Sequence, residues 1–249
     1  MEEIKLSPKE LALAIKNGRI LGSGYFGTVF AYQDKLIKLD KDLYCLLCNN
    51  YHRSDEKVIE RFYKNNQNDF INRHQIEELV KKQSNVTLTK LPTGIVTLKD
   101  VDPKLMNISP GIIIPYHKNH QKLEMLKKND YKKLLIILKK LLLAVRELAD
   151  NEIAQEDLGQ KNSHSKRRDC NILYKGDTPQ IIDLAGKYVK VSDEFIDASL
   201  MYQSLGEVIL DYFTLYKLES PYKAYDIEKD SQIVELLNEF EHQMKGKEK

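Results

Sequence analysis

Three oxygen-bearing side chains in the second half of this 249-residue chain could together serve phosphate chemistry. Asp157 stands in IAQEDL (153–158), just past a long apolar stretch. Asn171 opens CNILY (170–174) after its cysteine, and Asp183 closes the apolar run of IIDLAG (181–186). A carboxylate just past a helix can accept the proton of an attacking hydroxyl. An amide oxygen and a second carboxylate are hard ligands of the kind Mg2+ takes. Each piece is common alone. Asn-Ile-Leu followed 12 residues after its Asn by the Asp of Ile-Ile-Asp is not.

A glycine-rich stretch in the first half could cover the phosphates. GSGYFGTVF (22–30) holds Gly22, Gly24 and Gly27 and then Val29, with Ser23, Tyr25 and Phe26 between the glycines. A dinucleotide-binding turn would need a helix directly after the glycines and an acidic residue about 20 positions on. The β-branched and aromatic residues Thr28 to Tyr32 continue as a strand instead. The glycines therefore lie at a hairpin tip, either an ordinary turn or a lid whose backbone N–H groups approach phosphate oxygens. Read from the residues alone, Phe26 at that tip is an exposed loop aromatic. Lys38, between Ile37 and Leu39 on the following strand, could reach the space the hairpin covers and hold α- and β-phosphates. A helical glutamate would orient it. Glu77 and Glu78 are candidates, and Glu77 is assigned.

The pattern expected to position these groups runs as follows. Ser7 and Pro8 start a helix over 8–16, which stops near Asn17-Gly18. Strands are expected at 19–22, 28–32 and 35–39, with a tight turn at Gln33-Asp34. Residues 40–66 are polar and carry no clear pattern. A helix over 67–82 and strands at 86–89, 95–98 and 112–114 follow. Leu134, Leu135, Leu138, Leu141, Leu142, Val145 and Leu148 recur at helical spacing and predict a helix over 131–150. Two short strands, 172–174 and 180–182, flank a turn at Lys175-Gly176-Asp177. Helices over 194–215 and 227–244 end the chain. The reading is α+β, with a strand-rich first half and a helix-rich second half.

In order and context, the glycine loop with Val29, Lys38, Asp157, Asn171 and Asp183 resemble the protein-kinase-like superfamily. YQSLGEVILDYF (202–213) is similar to a helix of that family's large lobe. The resemblance spans about residues 19–210. It implies a bilobal protein-kinase-like fold: an antiparallel N-lobe sheet with one main helix over 1–116, and a trimmed, mainly helical C-lobe over 117–249. It also implies ATP and Mg2+ as cofactors. Gly22 to Gly27 would cover the phosphates, with Phe26 shielding them from water, and Lys38 would anchor them. Asn171 and Asp183 would hold the metal, and Asp157 would serve the acceptor hydroxyl. Adenine would sit near Ile114 to His117, with Ile114 and Tyr116 contributing.

The chain departs from the family pattern in four respects. The pattern His-Arg-Asp-x-x-x-x-Asn sets Asp and Asn close together, whereas Asp157 and Asn171 are 14 positions apart. The extra residues, 159–169, carry Lys161, His164, Lys166, Arg167 and Arg168, and read as a basic flap or a solvated loop. Asp169 is a rival base, but it lies too near Asn171 for both to act. His-Arg is replaced by Gln155-Glu156, and Asp-Phe-Gly by Asp183-Leu184-Ala185. Only about ten residues separate Asp183 from the next expected helix, too few for a long activation segment.

Composition limits the rest. Lys plus Arg is 39 against 37 for Asp plus Glu, which offers no bulk basic surface for DNA. No stretch reads as a membrane span or an apolar signal core. Cysteines 45, 48 and 170 suggest a reducing compartment. Cys45 and Cys48, with His52 near, lack the second pair of a closed zinc site and read as small apolar residues. The expectation is a cytoplasmic protein, or one delivered into a host cell without a classical signal peptide. It would be a protein serine/threonine kinase similar to small bacterial effector kinases, acting on a protein substrate, a host protein included. An acidic or phosphate-bearing partner would meet the 159–169 insertion. A small-molecule or lipid kinase, and a pseudokinase-like binding module, stay open.

Overall fold

The computed structural model describes residues 1–23, 27–49, 73–101, 109–126, 129–161, 168–185, 189–191 and 198–247. The chain is α+β and forms two compact units. One comprises residues 1–83, 91–116 and 185–187; the other comprises 84–90, 117–184 and 188–249.

The first unit is built on a six-stranded sheet. Its strands are β1 (Glu2–Leu6), β2 (Arg19–Ser23), β3 (Gly27–Tyr32), β4 (Lys35–Asp40), β5 (Gly94–Leu98) and β6 (Gly111–Ile114), in the order β1-β5-β6-β4-β3-β2. Every pair is antiparallel except β1 with β5, which run parallel. The expectation of an antiparallel sheet is corrected on that edge. Strand β1 gave no local signal, since its register depends on a partner more than 90 positions away. Gly94 admits it: a Cβ there would overlap the Glu2 carbonyl.

The unit also has three described helices: the expected one that begins at Pro8, the expected one that ends at Lys82, and a further one directly after β4. Helix α1 (Pro8–Asn17) begins on a capping box, with the Ser7 hydroxyl accepting from Glu10 N and the Glu10 carboxylate accepting from Ser7 N. Helix α2 (Lys41–Asn49) follows β4 directly, and Asp40 Oδ1 accepts from Leu43 N at 3.0 Å. Leu11 and Ile15 of α1 and Leu43 and Leu47 of α2 share one core with Phe30, Ile37, Leu39, Val96 and Leu98. Helix α3 (Arg73–Lys82) buries Ile76 and Leu79 and packs on β5. All five residues of β5 are buried, as a strand covered on both faces requires.

The second unit is organised by α4 (Tyr131–Asp150), α5 (Ala198–Tyr216) and α6 (Asp230–Lys247). The regular apolar spacing of α4 places Leu134, Leu138, Leu141, Val145 and Leu148 in the interior. Phe240 of α6 meets Phe213 and Tyr216 of α5 edge to face, at 5.5 and 5.6 Å between ring centres. Arg146 of α4 grips Asp230 at the start of α6 through two hydrogen bonds. Six short strands join the helices: β7 (Gln121–Lys122), β8 (Ile153–Gln155), β9 (Gly159–Lys161), β10 (Arg168–Cys170), β11 (Ile172–Lys175) and β12 (Thr178–Ile181). A seventh, β13 (Val189–Val191), pairs with β8. Gly176 takes the left-handed turn between β11 and β12 at φ +62°.

The strand expected at 86–89 does not form. Glu147 of α4 accepts from Thr87 N, Thr87 Oγ1 and Leu88 N, so that backbone bonds a side chain rather than a neighbouring strand. No helix among the described residues is long and apolar enough to cross a membrane.

Candidate active site

Three separated segments of the second unit converge on the residues with catalytic potential. Helix α4 ends at Asp150, and Glu152 turns the chain at φ 54° into β8, which is buried throughout. Asp157 follows, only 9% exposed. Leu158 N donates to Ser204 Oγ of α5 at 2.8 Å. The chain then leaves along β9 and returns along β10, with Gly159 opposite Cys170. That pairing delivers Asn171 back beside Leu158, whose carbonyl accepts from Asn171 N at 2.8 Å. The long interval between Asp157 and Asn171 is therefore closed at its base by a hairpin. Within the insertion, Asp169 lies on β10 opposite Gln160; residues 162–167 lie outside the described residues.

Side chains complete the convergence. Asn171 Nδ2 donates to the Asp157 carbonyl at 2.8 Å. Gln155, 1% exposed, donates through Nε2 to the carbonyls of both Asp157 and Asp183, each at 3.2 Å. Its Oε1 is buried and has no partner among the described residues. The Asn171 carbonyl accepts from Ile182 N at 2.9 Å, which ties the start of β11 to the end of β12. Asp183 itself holds φ 65°, a conformation uncommon outside glycine that tends to mark functional positions. Asp157, Asn171 and Asp183 thus belong to one hydrogen-bonded cluster.

The residue types could hold a hard divalent cation. Asn171 donates its amide N–H to Asp157, so Oδ1 is the atom it could offer a metal, and Asp183 could offer a carboxylate. Gln155 and Ser204 hold the cluster together, and neither was singled out as a site residue from sequence. Gln155 stood out only as the residue where the family pattern has histidine, and Ser204 lay inside the helix motif of residues 202–213.

In the first unit, the glycine hairpin is the β2–β3 pair. Gly22 lies opposite Val29, and Ser23 Oγ meets Thr28 Oγ1 at 3.1 Å. Gly24, Tyr25 and Phe26 lie outside the described residues. Lys38 lies between Val29 on one side and Ile112 on the other. A Cβ on Gly27 would come within 2.7 Å of Lys38 Cε and 2.9 Å of the Leu39 carbonyl oxygen. Gly27 is therefore the gap that lets the lysine stem pass beside the hairpin. A Cβ on Gly22 would meet nothing within 4 Å.

Glu77, the glutamate assigned to orient Lys38, lies on α3 and bonds within that helix. Its Oε1 accepts from Arg73 Nε at 2.9 Å, one turn earlier on α3, where i,i+4 spacing brings the two together. Arg73 also lies 3.7 Å from Glu3 of β1. Ile114 ends β6 half-buried, and Tyr116 is 61% exposed. In the second unit the His117 and His120 rings meet edge to face at 5.3 Å. Burial, then the charges of His120 and Lys90, push the His117 imidazole down to about 4.

No family model matches the chain, and a search of curated proteins finds no match.

Proposed function

We propose that this protein is an ATP- and Mg2+-dependent phosphotransferase with a protein-kinase-like, bilobal build. One observation carries the reading: Gln155 and Asn171 tie Asp157, Asn171 and Asp183 into a single cluster, although they come from three separate stretches of sequence. In this reading Asn171 Oδ1 and Asp183 hold Mg2+, whose positive charge offsets that of the transferring phosphoryl group. Asp157 orients the acceptor hydroxyl and takes its proton. To the first unit the reading assigns phosphate cover by the β2–β3 hairpin and phosphate binding by Lys38. The Gly27 gap beside the Lys38 stem supports that assignment.

The favoured acceptor is a serine or threonine hydroxyl of a protein. The short span from Asp183 to α5 suits an enzyme that does not rely on a phosphorylated activation segment. The test is incubation of the full chain with γ-labelled ATP and Mg2+ in a cell lysate, with wild type compared against Asp183→Ala and Lys38→Ala. Label in proteins that both variants abolish is the expected result. Label only in metabolites or lipids moves the acceptor class. No label, together with no thermal shift on adding Mg-ATP, overturns the phosphotransferase reading in favour of a binding module.

A further inference from the structure

Helix α2 carries two thiols, Cys45 and Cys48, both free and both exposed. Packing does not account for them: the core-facing positions of α2 belong to Leu43 and Leu47, each fully buried. The two cysteines are three positions apart, so they share a face of the helix. Tyr44 packs partly against the core and its hydroxyl meets Cys48. Burial, followed by that contact and the nearby thiols, pushes the phenol up to about 12.

Spacing decides what the pair can do. Positions three apart on a helix set Cβ atoms about 5–6 Å apart. A disulfide needs about 3.5–4.5 Å, so closing one would have to draw the two positions together and strain the turn. A thiophilic cation removes the conflict, because each sulfur stands about 2.3 Å from a zinc ion placed between them. No group of three or more His, Cys, Asp or Glu able to hold a metal occurs among the described residues.

We propose that Cys45 and Cys48 form a two-thiol site for a thiophilic divalent cation such as Zn2+ or Cd2+, exposed on the first unit and separate from the phosphotransfer residues. Binding replaces two S–H bonds with two metal–sulfur bonds and releases two protons, so affinity rises with pH. The bound ion bridges one turn of the helix that begins directly after the Lys38 strand.

The test is titration of the reduced full chain with Cd2+, followed by thiolate-to-metal charge-transfer absorption in the ultraviolet. One ion per chain is expected, with release of two protons measured in weakly buffered solution. Cys45→Ser and Cys48→Ser should each lose the absorption, while Cys170→Ser keeps it. Both altered residues are exposed, so the variants should keep the wild-type melting curve, which is recorded alongside. Binding that survives either single variant, binding that is lost only with Cys170→Ser, or no charge-transfer band at all overturns the proposal. None of these readings depends on the phosphotransferase assignment.

Discussion

The side-chain amide of Asn171 donates to the backbone carbonyl of Asp157 across 2.8 Å, although the two residues are 14 positions apart. The bond has two consequences. It fixes the backbone that carries Asp157, and it fixes which atom of Asn171 is left for a metal. Asn171→Ala removes both, and takes one donor from the Asp157 carbonyl. The expected cost in stability is about 1–3 kcal/mol, read as a shift in the urea midpoint. Asn171→Asp restores an oxygen ligand but sets a carboxylate against a carbonyl. It should lose phosphoryl transfer as well, so charge alone should not rescue the site.

Gln155 is predicted to be the most sensitive position that has no expected chemistry of its own. One amide nitrogen serves two carbonyls, and both of its hydrogens are spent. Gln155→Leu matches the volume and strands both acceptors, at a cost of about 1–3 kcal/mol or more. Gln155→Glu should be worse, because it adds a charge at a site only 1% exposed. Gln155→His keeps a single N–H at each ring nitrogen at most and should fall between wild type and Leu. Thermal melting of the four proteins gives the order; equal melting temperatures for wild type and Gln155→Leu would contradict it.

Two glycines of the hairpin should respond in opposite ways. Gly22 faces open space, so Gly22→Ala should change stability by no more than about 0.5 kcal/mol. At Gly27 an added methyl would meet Lys38 Cε at 2.7 Å and the Leu39 carbonyl at 2.9 Å. The lysine stem can swing aside, but the carbonyl cannot without moving β4. Gly27→Ala should therefore cost about 1–3 kcal/mol and displace Lys38. On the proposed reading Gly27→Ala weakens Mg-ATP binding; nucleotide titration by calorimetry against wild type checks it.

What could be read from sequence was what local chemistry dictates. Helix α4 announced itself through its apolar spacing and runs over the expected residues 131–150. Strand β4 and the turn at Gly176 follow from alternation and from a left-handed glycine. The features that escaped depend on distant partners. Strand β1 needs β5 and the room at Gly94, and the tie between Leu158 and Asn171 needs the β9–β10 pairing. Val86 to Thr89 reads as a strand because three of its four residues are β-branched, but the Glu147 carboxylate takes the Thr87 and Leu88 N–H groups. Of the site residues, Asp157, Asn171 and Asp183 could be singled out by type and order. Gln155 could not, because nothing in a lone glutamine shows that two carbonyls will converge on it.

That same carboxylate gives a pH prediction. Burial alone would raise the Glu147 carboxyl, but the hydrogen bonds from Thr87 and Leu88 outweigh it and hold the group below its ordinary 4.5. A carboxyl depressed in the folded state stabilises the fold above its unfolded value, and the contribution fades as pH falls through the folded value. Glu147→Gln keeps one acceptor oxygen but turns an NH2 group toward backbone donors. Wild type should therefore be the more stable protein at pH 7, and the gap should narrow steadily below about pH 4.5. His117, held down to about 4, also withdraws stability as pH falls from its ordinary 6.5, because the unfolded chain binds the proton first. It does so in both proteins, so it cancels in the difference between their denaturation midpoints. A gap that stays constant from pH 7 to pH 3 would show that the Thr87–Leu88 turn does not rely on the ionised carboxylate.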